Sequence, residues 1–319
     1  MTLAPRSMLG VRIALLVALA GLPLAGCAWL RAAPESTTSL DEYREYMAER
    51  AAAEVESEKQ AQSDATFEQK LAAAQRAHRA GDAENAMRQY FEAFRLDPAD
   101  TRAHAGIAYL QLSRQPERAE EVLLKVIEAN PNATMAYVGV GLAKLAQDDP
   151  DAAASYLEQA IALDPSSANA HDAYAVVLEE MQLFDDAQTH ARRASELAPN
   201  NSAIVNNYGI ASLLAGDPKS AERAFRNAAS LEPRDSAYRN NLGIALGRQG
   251  RYTEALTAFR SAGSEQAAHN NLGYVYYMNG MLDEAIAHYE RALEAEGDDR
   301  GTILRNLDAA LAAKGVTSD

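Results

Sequence analysis

The stretch Ala221–Pro233 reads AERAFRNAASLEP, and the spacing of its small, large and proline residues decides the fold. Ala221, Phe225 and Ala228 lie on one face of a helix, because residues three or four apart are neighbours on a helical surface. Proline cannot continue the helix, so Pro233 ends it. The same proline recurs upstream at spacings of 33 or 34 residues: Pro98, Pro131, Pro165, Pro199 and Pro233.

The residues before each proline repeat as well. An alanine stands twelve residues earlier in every copy: Ala86, Ala119, Ala153, Ala187 and Ala221. A small residue or valine stands five residues earlier: Ala93, Val126, Ala160, Ala194 and Ala228. Two later copies lack the proline but keep the rest: Ala255, Phe259 and Ala262, then Ala285, Tyr289 and Ala292. A fixed period of this length indicates stacked copies of one supersecondary unit.

This pattern resembles the tetratricopeptide repeat (TPR), a 34-residue helix–turn–helix unit whose positions 8, 20 and 27 are small and whose position 24 is large. Position 8 falls at Ala74, Ala108, Gly141, Ala175, Gly209, Gly243 and Gly273. Position 24 falls at Tyr90, Leu123, Leu157, Ala191, Phe225, Phe259 and Tyr289. The resemblance implies an all-α fold: a TPR superhelical solenoid of about seven helix-turn-helix repeats over residues 67–297, with a C-terminal capping helix within 298–319. Stacked neighbours bury the faces that a single repeat leaves open.

Two repeats depart from the 34-residue period. The second is one residue short, and only 30 residues separate Asn241 from Asn271. The sequence Ser261-Ala262-Gly263-Ser264 replaces the usual helix end. We expect this shortening to change the local turn of the superhelix.

Paired asparagines give the candidate partner site. Repeat positions 5 and 6 carry Asn206 and Asn207, Asn240 and Asn241, and Asn270 and Asn271. The resemblance implies that these positions, with Tyr274 at 9 and Tyr277 at 12, face a concave groove. An amide both donates and accepts, so it can bind the backbone of an extended peptide whatever its sequence. The alternative is that the asparagines only link adjacent repeats.

The array holds no further recognisable partner motif. Position 2 carries Ala203, Ala237 and Ala267 where the two-carboxylate clamp of some TPR proteins needs basic residues, so we do not predict binding of that kind. Tyr276, Tyr277 and Met278 form either part of the groove or an oligomer face, which would make the protein a homodimer.

The N-terminus predicts export and lipid attachment. Arg6 and Arg12 flank the apolar run 13–22, whose roughly ten residues are too few to span a bilayer. The following Leu24-Ala25-Gly26-Cys27 resembles the lipobox of bacterial lipoproteins. That resemblance implies cleavage of a signal peptide, 1–26, and acylation of Cys27 with chains such as palmitate. Two or more chains give a durable membrane anchor where one does not.

The resemblance to lipoproteins also bears on location. In a Gram-negative source, Ala28 after the cysteine favours the outer membrane, facing the periplasm. Residues 27–66 then hold the lipidated cysteine, a polar tether and an acidic helical stretch, 40–64. That stretch is either a solvated spacer or a partner-binding helix that uses Tyr43, Tyr46 and Met47.

Composition excludes several functions. A net charge of −15 repels nucleic acid, so we expect no nucleic-acid partner and membrane contact through lipid alone. The six histidines show no metal-site spacing, and no nucleophile motif or phosphate loop occurs. We therefore predict neither a metal nor another cofactor, and no enzyme activity.

These features together predict a lipid-anchored scaffold that binds proteins or extended peptides. In architecture the chain is similar to the TPR lipoproteins of Tad/Flp (TadD-like) and type IV pilus (PilW-like) assembly. That similarity implies a secretin or pilus component as partner. The alternative is an NlpI-like adaptor that recruits cell-wall hydrolases and proteases.

Overall fold

A computed structural model describes residues 67–79, 81–97, 100–112 and 114–315. Cys27, the segment 40–64 and Pro98 lie outside these described residues. Within the described part the chain forms fifteen α-helices and no strand, so the predicted all-α TPR solenoid of about seven repeats is confirmed. The helices are α1 Phe67–Arg79, α2 Ala83–Leu96, α3 Thr101–Gln111, α4 Pro116–Ala129, α5 Thr134–Ala146, α6 Pro150–Leu163, α7 Ala168–Glu180, α8 Phe184–Leu197, α9 Ser202–Leu214, α10 Pro218–Leu231, α11 Ser236–Arg248, α12 Tyr252–Ala262, α13 Glu265–Met278, α14 Leu282–Glu294 and α15 Arg300–Lys314.

The described residues pack as two compact units, 67–177 and 178–315. The boundary falls within α7. The first unit contains the helix pairs of repeats one to three. The second contains repeats five to seven and α15.

The second helices end where the recurring prolines predict. Four second helices end two residues before their proline: α4, α6, α8 and α10. At the start of α10, Asp217 accepts a hydrogen bond from the Ser220 amide, and Pro218 occupies the first turn, where a missing N–H costs nothing. Between the helices of a repeat, Gly216 and Gly250 adopt φ of 77° and 74°, which glycine reaches without strain.

Close packing within a repeat depends on glycine at position 8. A Cβ on Gly209 would lie 2.4 Å from the ring of Phe225, and one on Gly243 would lie 2.4 Å from Phe259. Both rings are fully buried. The expectation that a small position 8 admits a large position 24 is therefore confirmed in these repeats.

Repeats one and two accommodate their large residues differently. In repeats one and two position 8 is alanine, and the position-24 side chain lies against a glycine at position 6 of the next repeat. A Cβ on Gly106 would lie 2.2 Å from the ring of Tyr90, and one on Gly139 would lie 2.7 Å from Leu123. Position 6 is thus fixed as glycine wherever the preceding position-24 side chain extends across the repeat boundary.

The shortened sixth repeat forms a two-residue turn. Only Gly263 and Ser264 separate α12 from α13, and the Ser264 hydroxyl accepts a hydrogen bond from the Ala267 amide at 3.1 Å. Arg260 pairs with Glu265 across the turn. Arg239 donates from Nε to the Ser261 carbonyl at 2.9 Å. Side chains from the neighbouring helices and from the turn itself therefore hold the end of α12 and the start of α13 together.

Helix α15 covers the last repeat and confirms the predicted capping helix. Ile303 and Ala310 are buried in a cluster with Tyr289. Position 8 of this helix is Asp308, which is exposed. A carboxylate cannot replace the small residue that a following second helix would pack against, so α15 is a first helix that ends the described array.

Candidate protein-interaction site

The paired asparagines lie on α9, α11 and α13, as predicted, but most are buried. Asn206 is 0% exposed and Asn241 is 3% exposed. Asn207, Asn270 and Asn271 are also buried, and Asn240 is half-buried. Their amides therefore lie mainly between helices.

The amides hydrogen-bond one another from repeat to repeat. Asn241 Nδ2 donates to Asn206 Oδ1 at 2.8 Å. Asn271 Nδ2 donates to Asn240 Oδ1 at 3.3 Å. In both bonds, position 6 of one repeat donates to position 5 of the repeat before. We call this set, with its continuation below, the asparagine ladder.

The ladder continues into α15 through a residue that the sequence analysis missed. Asn306 Nδ2 donates to Asn270 Oδ1 at 2.9 Å, which again joins position 6 to the preceding position 5. The signal was present, because Arg305-Asn306-Leu307-Asp308 aligns with the NNLG motif of the earlier repeats. The loss of glycine at position 8 concealed it.

The asparagine ladder supports the alternative interpretation, in which these amides link adjacent repeats. A buried amide without a hydrogen bond costs free energy, so each bond favours the docked arrangement of the two repeats that it joins. Binding of a partner by the asparagines stays a prediction. Asn240, half-buried at position 5, retains the most contact with solvent.

The two tyrosines predicted to face the groove differ in exposure. Tyr274 is 8% exposed, and burial raises the pKa of its hydroxyl. Tyr277 is half-buried beside the cluster around Tyr289. Met278 follows at 48% exposed. Tyr277 and Met278 are thus the more accessible side chains at this end of α13, whereas Tyr274 contributes mainly to packing.

The asparagine ladder requires the glycine arrangement of the second unit. The equivalent of Gly106 in the sixth repeat is Asn241, so the preceding position-24 ring must leave room there. Phe225 does so by lying against Gly209 of its own repeat. Phe259 lies against Gly243 in the same way, which leaves room for Asn271. Glycine at position 8 therefore permits asparagine at position 6 of the next repeat.

Charge is segregated between first and second helices in this unit. The forty residues of α9, α11 and α13 include only three charged side chains: Arg239, Arg248 and Glu265. Their partner helices α10, α12 and α14 carry four, two and five. Positions 2, 5, 6, 9 and 12 of α9, α11 and α13, here called the first-helix face, carry none. Its half-buried members include Ile210, Leu213, Ile244 and Tyr277.

Two acidic clamps between repeats escaped the sequence analysis. Glu222 on α10 accepts hydrogen bonds from Gln249 at 2.9 Å and from Arg251 at 2.7 Å. Burial acts to raise its pKa, but the hydrogen bonds from Gln249, Arg226 and Arg251 lower the pKa of Glu222 to about 2. The signal in the sequence is glutamine at position 14 of one repeat with glutamate at position 21 of the repeat before.

The second clamp lies in the first unit. Glu120 accepts from Gln147 at 2.7 Å and pairs with Lys144 at 2.8 Å. The hydrogen bond with Glu120 raises the pKa of Lys144. The glutamine and the glutamate occupy the same repeat positions in both clamps, whereas the cation comes from position 11 in the first unit and from position 16 in the second.

Two features are absent from the part of the chain that the structure describes. No three His, Cys, Asp or Glu side chains there are grouped so that they could hold a metal ion. None of the described helices is long and apolar enough to cross a membrane.

Stacked helix pairs, small residues at the helix contacts and a largely uncharged first-helix face define a repeat scaffold of the protein-interaction class. Family models described as tetratricopeptide repeat match residues 105–168 and 213–264, residues 144–207, and residues 267–299. Together these matches cover more than half of the chain. The chain belongs to the tetratricopeptide repeat proteins.

One curated relative concerns a pilus. Over 86 residues the chain is 35% identical to the type IV pilus assembly protein PilF of Pseudomonas aeruginosa. The match covers 27% of this chain and 34% of that protein. The chain thus aligns with about a third of the length of this relative.

Solved structures share the fold. The structure of Pseudomonas aeruginosa PilF has a TM-score of 0.50 at 20% identity, over 61% of this chain and 90% of PilF. The Cut9–Hcn1 hetero-tetramer of the APC/C has a TM-score of 0.59 at 16% identity, over 78% of this chain and 50% of that chain. At such identities the likeness concerns the fold alone.

Proposed function

We propose that this chain is a lipid-anchored scaffold for pilus or secretion-system assembly, and that it binds a protein partner on the first-helix face of repeats five to seven. The observation that carries the proposal is the charge segregation of these repeats. The second helices α10 and α14 carry exposed charged side chains, while the first-helix face is neutral. Repeat scaffolds use such faces to hold other proteins.

The chemistry of the face selects the partner. Half-buried Ile210, Ile244 and Tyr277 offer apolar contact, and Asn240 offers an amide. A charged side chain placed there would lose hydration without gaining an opposite charge, which is unfavourable. The partner segment is therefore uncharged and largely apolar, and the amide hydrogen-bonds its backbone.

The pathway rests on the curated relative. Identity of 35% to the type IV pilus assembly protein PilF supports pilus assembly over other uses of a TPR array. The partner is then a secretin or another pilus component. Cys27 carries the acyl anchor, and the protein is held at the outer membrane on the periplasmic side.

A cross-linking pull-down from cells tests the proposal with a matched pair of variants. Asn240→Asp places a charge on the first-helix face and keeps the Oδ1 acceptor for Asn271. Asn227→Asp places the same charge at an exposed site on the second helix α10. We expect capture of a secretin or pilus component by wild type and Asn227→Asp, and a several-fold loss with Asn240→Asp.

Three results would contradict the proposal. Capture of cell-wall hydrolases or proteases would replace pilus assembly with the adaptor role. Cross-linking to a second copy alone would make the face a homodimer interface. Equal capture by both variants would move the partner to another surface. Circular dichroism of both variants checks that each is folded.

A further inference from the structure

Two histidines face each other across the helices of the last repeat. His269 on α13 and His288 on α14 are both buried, and their Nδ1 atoms are 2.9 Å apart. The ring centroids are 5.0 Å apart. This hydrogen bond joins the two helices of repeat seven directly.

A carboxylate fixes which histidine donates. Glu265 Oε1 lies 3.1 Å from His269 Nε2, and an ionised carboxylate can only accept, so Nε2 carries the proton of neutral His269. His269 Nδ1 is then the acceptor, and His288 donates from Nδ1. The bond requires one of the two Nδ1 atoms to lack a proton.

The pair lies at one end of an aromatic stack. Tyr276 lies against His288 with centroids 5.3 Å apart, and Tyr252 lies against Tyr276 at 4.3 Å. Tyr252 belongs to α12, so the stack joins repeat six to repeat seven. The next two residues after His269, Asn270 and Asn271, belong to the asparagine ladder. Loosening of the histidine pair would therefore loosen the end of the ladder.

We propose that the His269–His288 pair is an acid-sensitive latch that holds α14 on α13 while both imidazoles are neutral and loosens the last repeat when they take up protons. A first proton at His269 Nδ1, beside Glu265, reverses the hydrogen bond so that His288 Nδ1 accepts, and it places a charge at the buried pair. A second proton at His288 sets two N–H groups face to face and ends the hydrogen bond.

The surrounding charges oppose protonation on balance. Arg260 on α12 and Arg291 on α14 repel a charged imidazole, whereas Glu265 on α13 favours one. Burial, then His269 and the two arginines, lower the pKa of His288 to about 4, and burial lowers the pKa of His269 despite Glu265. Burial raises the pKa of Tyr276.

The sign of the pH effect follows from these shifts. An unfolded histidine takes up a proton near pH 6.5, whereas His288 resists protonation until about pH 4. Protons therefore favour the open repeat, and the latch weakens as the pH falls through this interval. At pH 5 the full shift of His288 would favour opening by about 30-fold, and residual solvent contact reduces the expected effect to about tenfold.

Amide hydrogen exchange on the full chain, corrected for intrinsic rates, tests the latch at pH 7.5 and pH 5. We expect protection in α13 and α14 to fall about tenfold between these pH values in wild type and much less in His288→Gln. The matched control is His190→Gln on α8, which should respond as wild type does. An equal fall in wild type and His288→Gln, or no fall in wild type, would overturn the proposal.

A second measurement needs no variant. Nitrogen-15 spectra of the histidine rings in wild type report protonation directly. We expect the His288 ring to stay neutral at pH 5 and the His269 ring to titrate below the ordinary value, with the tautomers assigned above at neutral pH. Ordinary titration of all six histidines near pH 6.5 would refute the latch even if His288→Gln failed to fold.

Discussion

Asn241 on α11 donates from Nδ2 to Oδ1 of Asn206 on α9 across a distance of 2.8 Å, and both side chains are buried. The two residues lie 35 positions apart, so the bond joins neighbouring repeats. Asn206 Nδ2 is buried without a hydrogen-bond partner. The bond that Oδ1 accepts from Asn241 is therefore the one hydrogen bond described for the Asn206 amide. This bond favours docking of the two repeats.

Replacement of Asn241 by alanine should destabilise the array. The change leaves Asn206 with no hydrogen bond in a site that excludes water, and such a loss costs about 1–3 kcal/mol. Urea denaturation followed by circular dichroism measures the difference. The matched control is Asn200→Ala at an exposed turn, which should change the free energy of unfolding by less than about 0.5 kcal/mol.

Equal stability of Asn241→Ala and wild type would mean that the amide is free to bind a partner, in line with the first reading of the sequence. A loss of stability would mean that a partner assay on this variant confounds unfolding with binding. For that reason Asn240→Asp is the better probe of the first-helix face.

Gly243 and Phe259 give a second prediction. A Cβ at Gly243 would lie 2.4 Å from the Phe259 ring, so Gly243→Ala should destabilise by about 1–3 kcal/mol through overpacking. Alanine has the better helix propensity, by up to about 1 kcal/mol, which reduces the loss but does not reverse it. Thermal denaturation checks the change.

Two variants show whether the ring is the cause. Phe259→Leu removes part of the ring, so its combination with Gly243→Ala should lose less than the two single changes added together. Gly301→Ala in α15 has room, because the nearest atom would be the Arg305 guanidinium at 3.7 Å, and it should stabilise slightly. A stabilising Gly243→Ala would contradict the packing argument.

The sequence predicted the fold because its period, its prolines and its small residues act locally. Pro233 ends α10 by removing a backbone donor, and Gly243 admits Phe259 within one repeat. Neither effect depends on the neighbouring repeat.

A repeat pattern in the sequence does not predict which side chains become buried between neighbouring repeats. Position 6 alone places Asn241 toward the groove, but its burial depends on where Phe225 lies, which depends in turn on Gly209. The His269–His288 contact likewise depends on how α14 docks on α13. Contacts between helices of this kind become visible in three dimensions and not in a repeat alignment.

The lipid anchor gives a third prediction. Cys27→Ser removes the sulfur that would take the acyl groups, so the chain should leave the membrane fraction and lose the mass of the lipid. Fractionation with mass spectrometry of the N-terminus measures both. Ala28→Ser keeps the cysteine and should remain anchored. Retention of Cys27→Ser in the membrane fraction would overturn the lipoprotein assignment.

The Glu222 clamp gives the last prediction. Gln249 and Arg251 of the next repeat both donate to this carboxylate, which is largely shielded from solvent. Its pKa of about 2 lies below the ordinary value, so the folded state binds the proton less tightly than the unfolded state. The stabilisation is thus present above about pH 4.5 and is lost as the pH falls toward 2.

Glu222→Gln removes the charge and keeps the shape. We expect a loss of about 1–2 kcal/mol at pH 7 that shrinks as the pH is lowered to 3, because wild type loses part of the same stabilisation between about pH 4.5 and 3. Denaturant titrations at several pH values measure the trend. Glu254→Gln is the control, since Glu254 pairs with the same Arg251 but is more than half exposed, and such pairs contribute little. A pH-independent loss in Glu222→Gln would mean that packing of the side chain, and not its charge, joins repeats five and six.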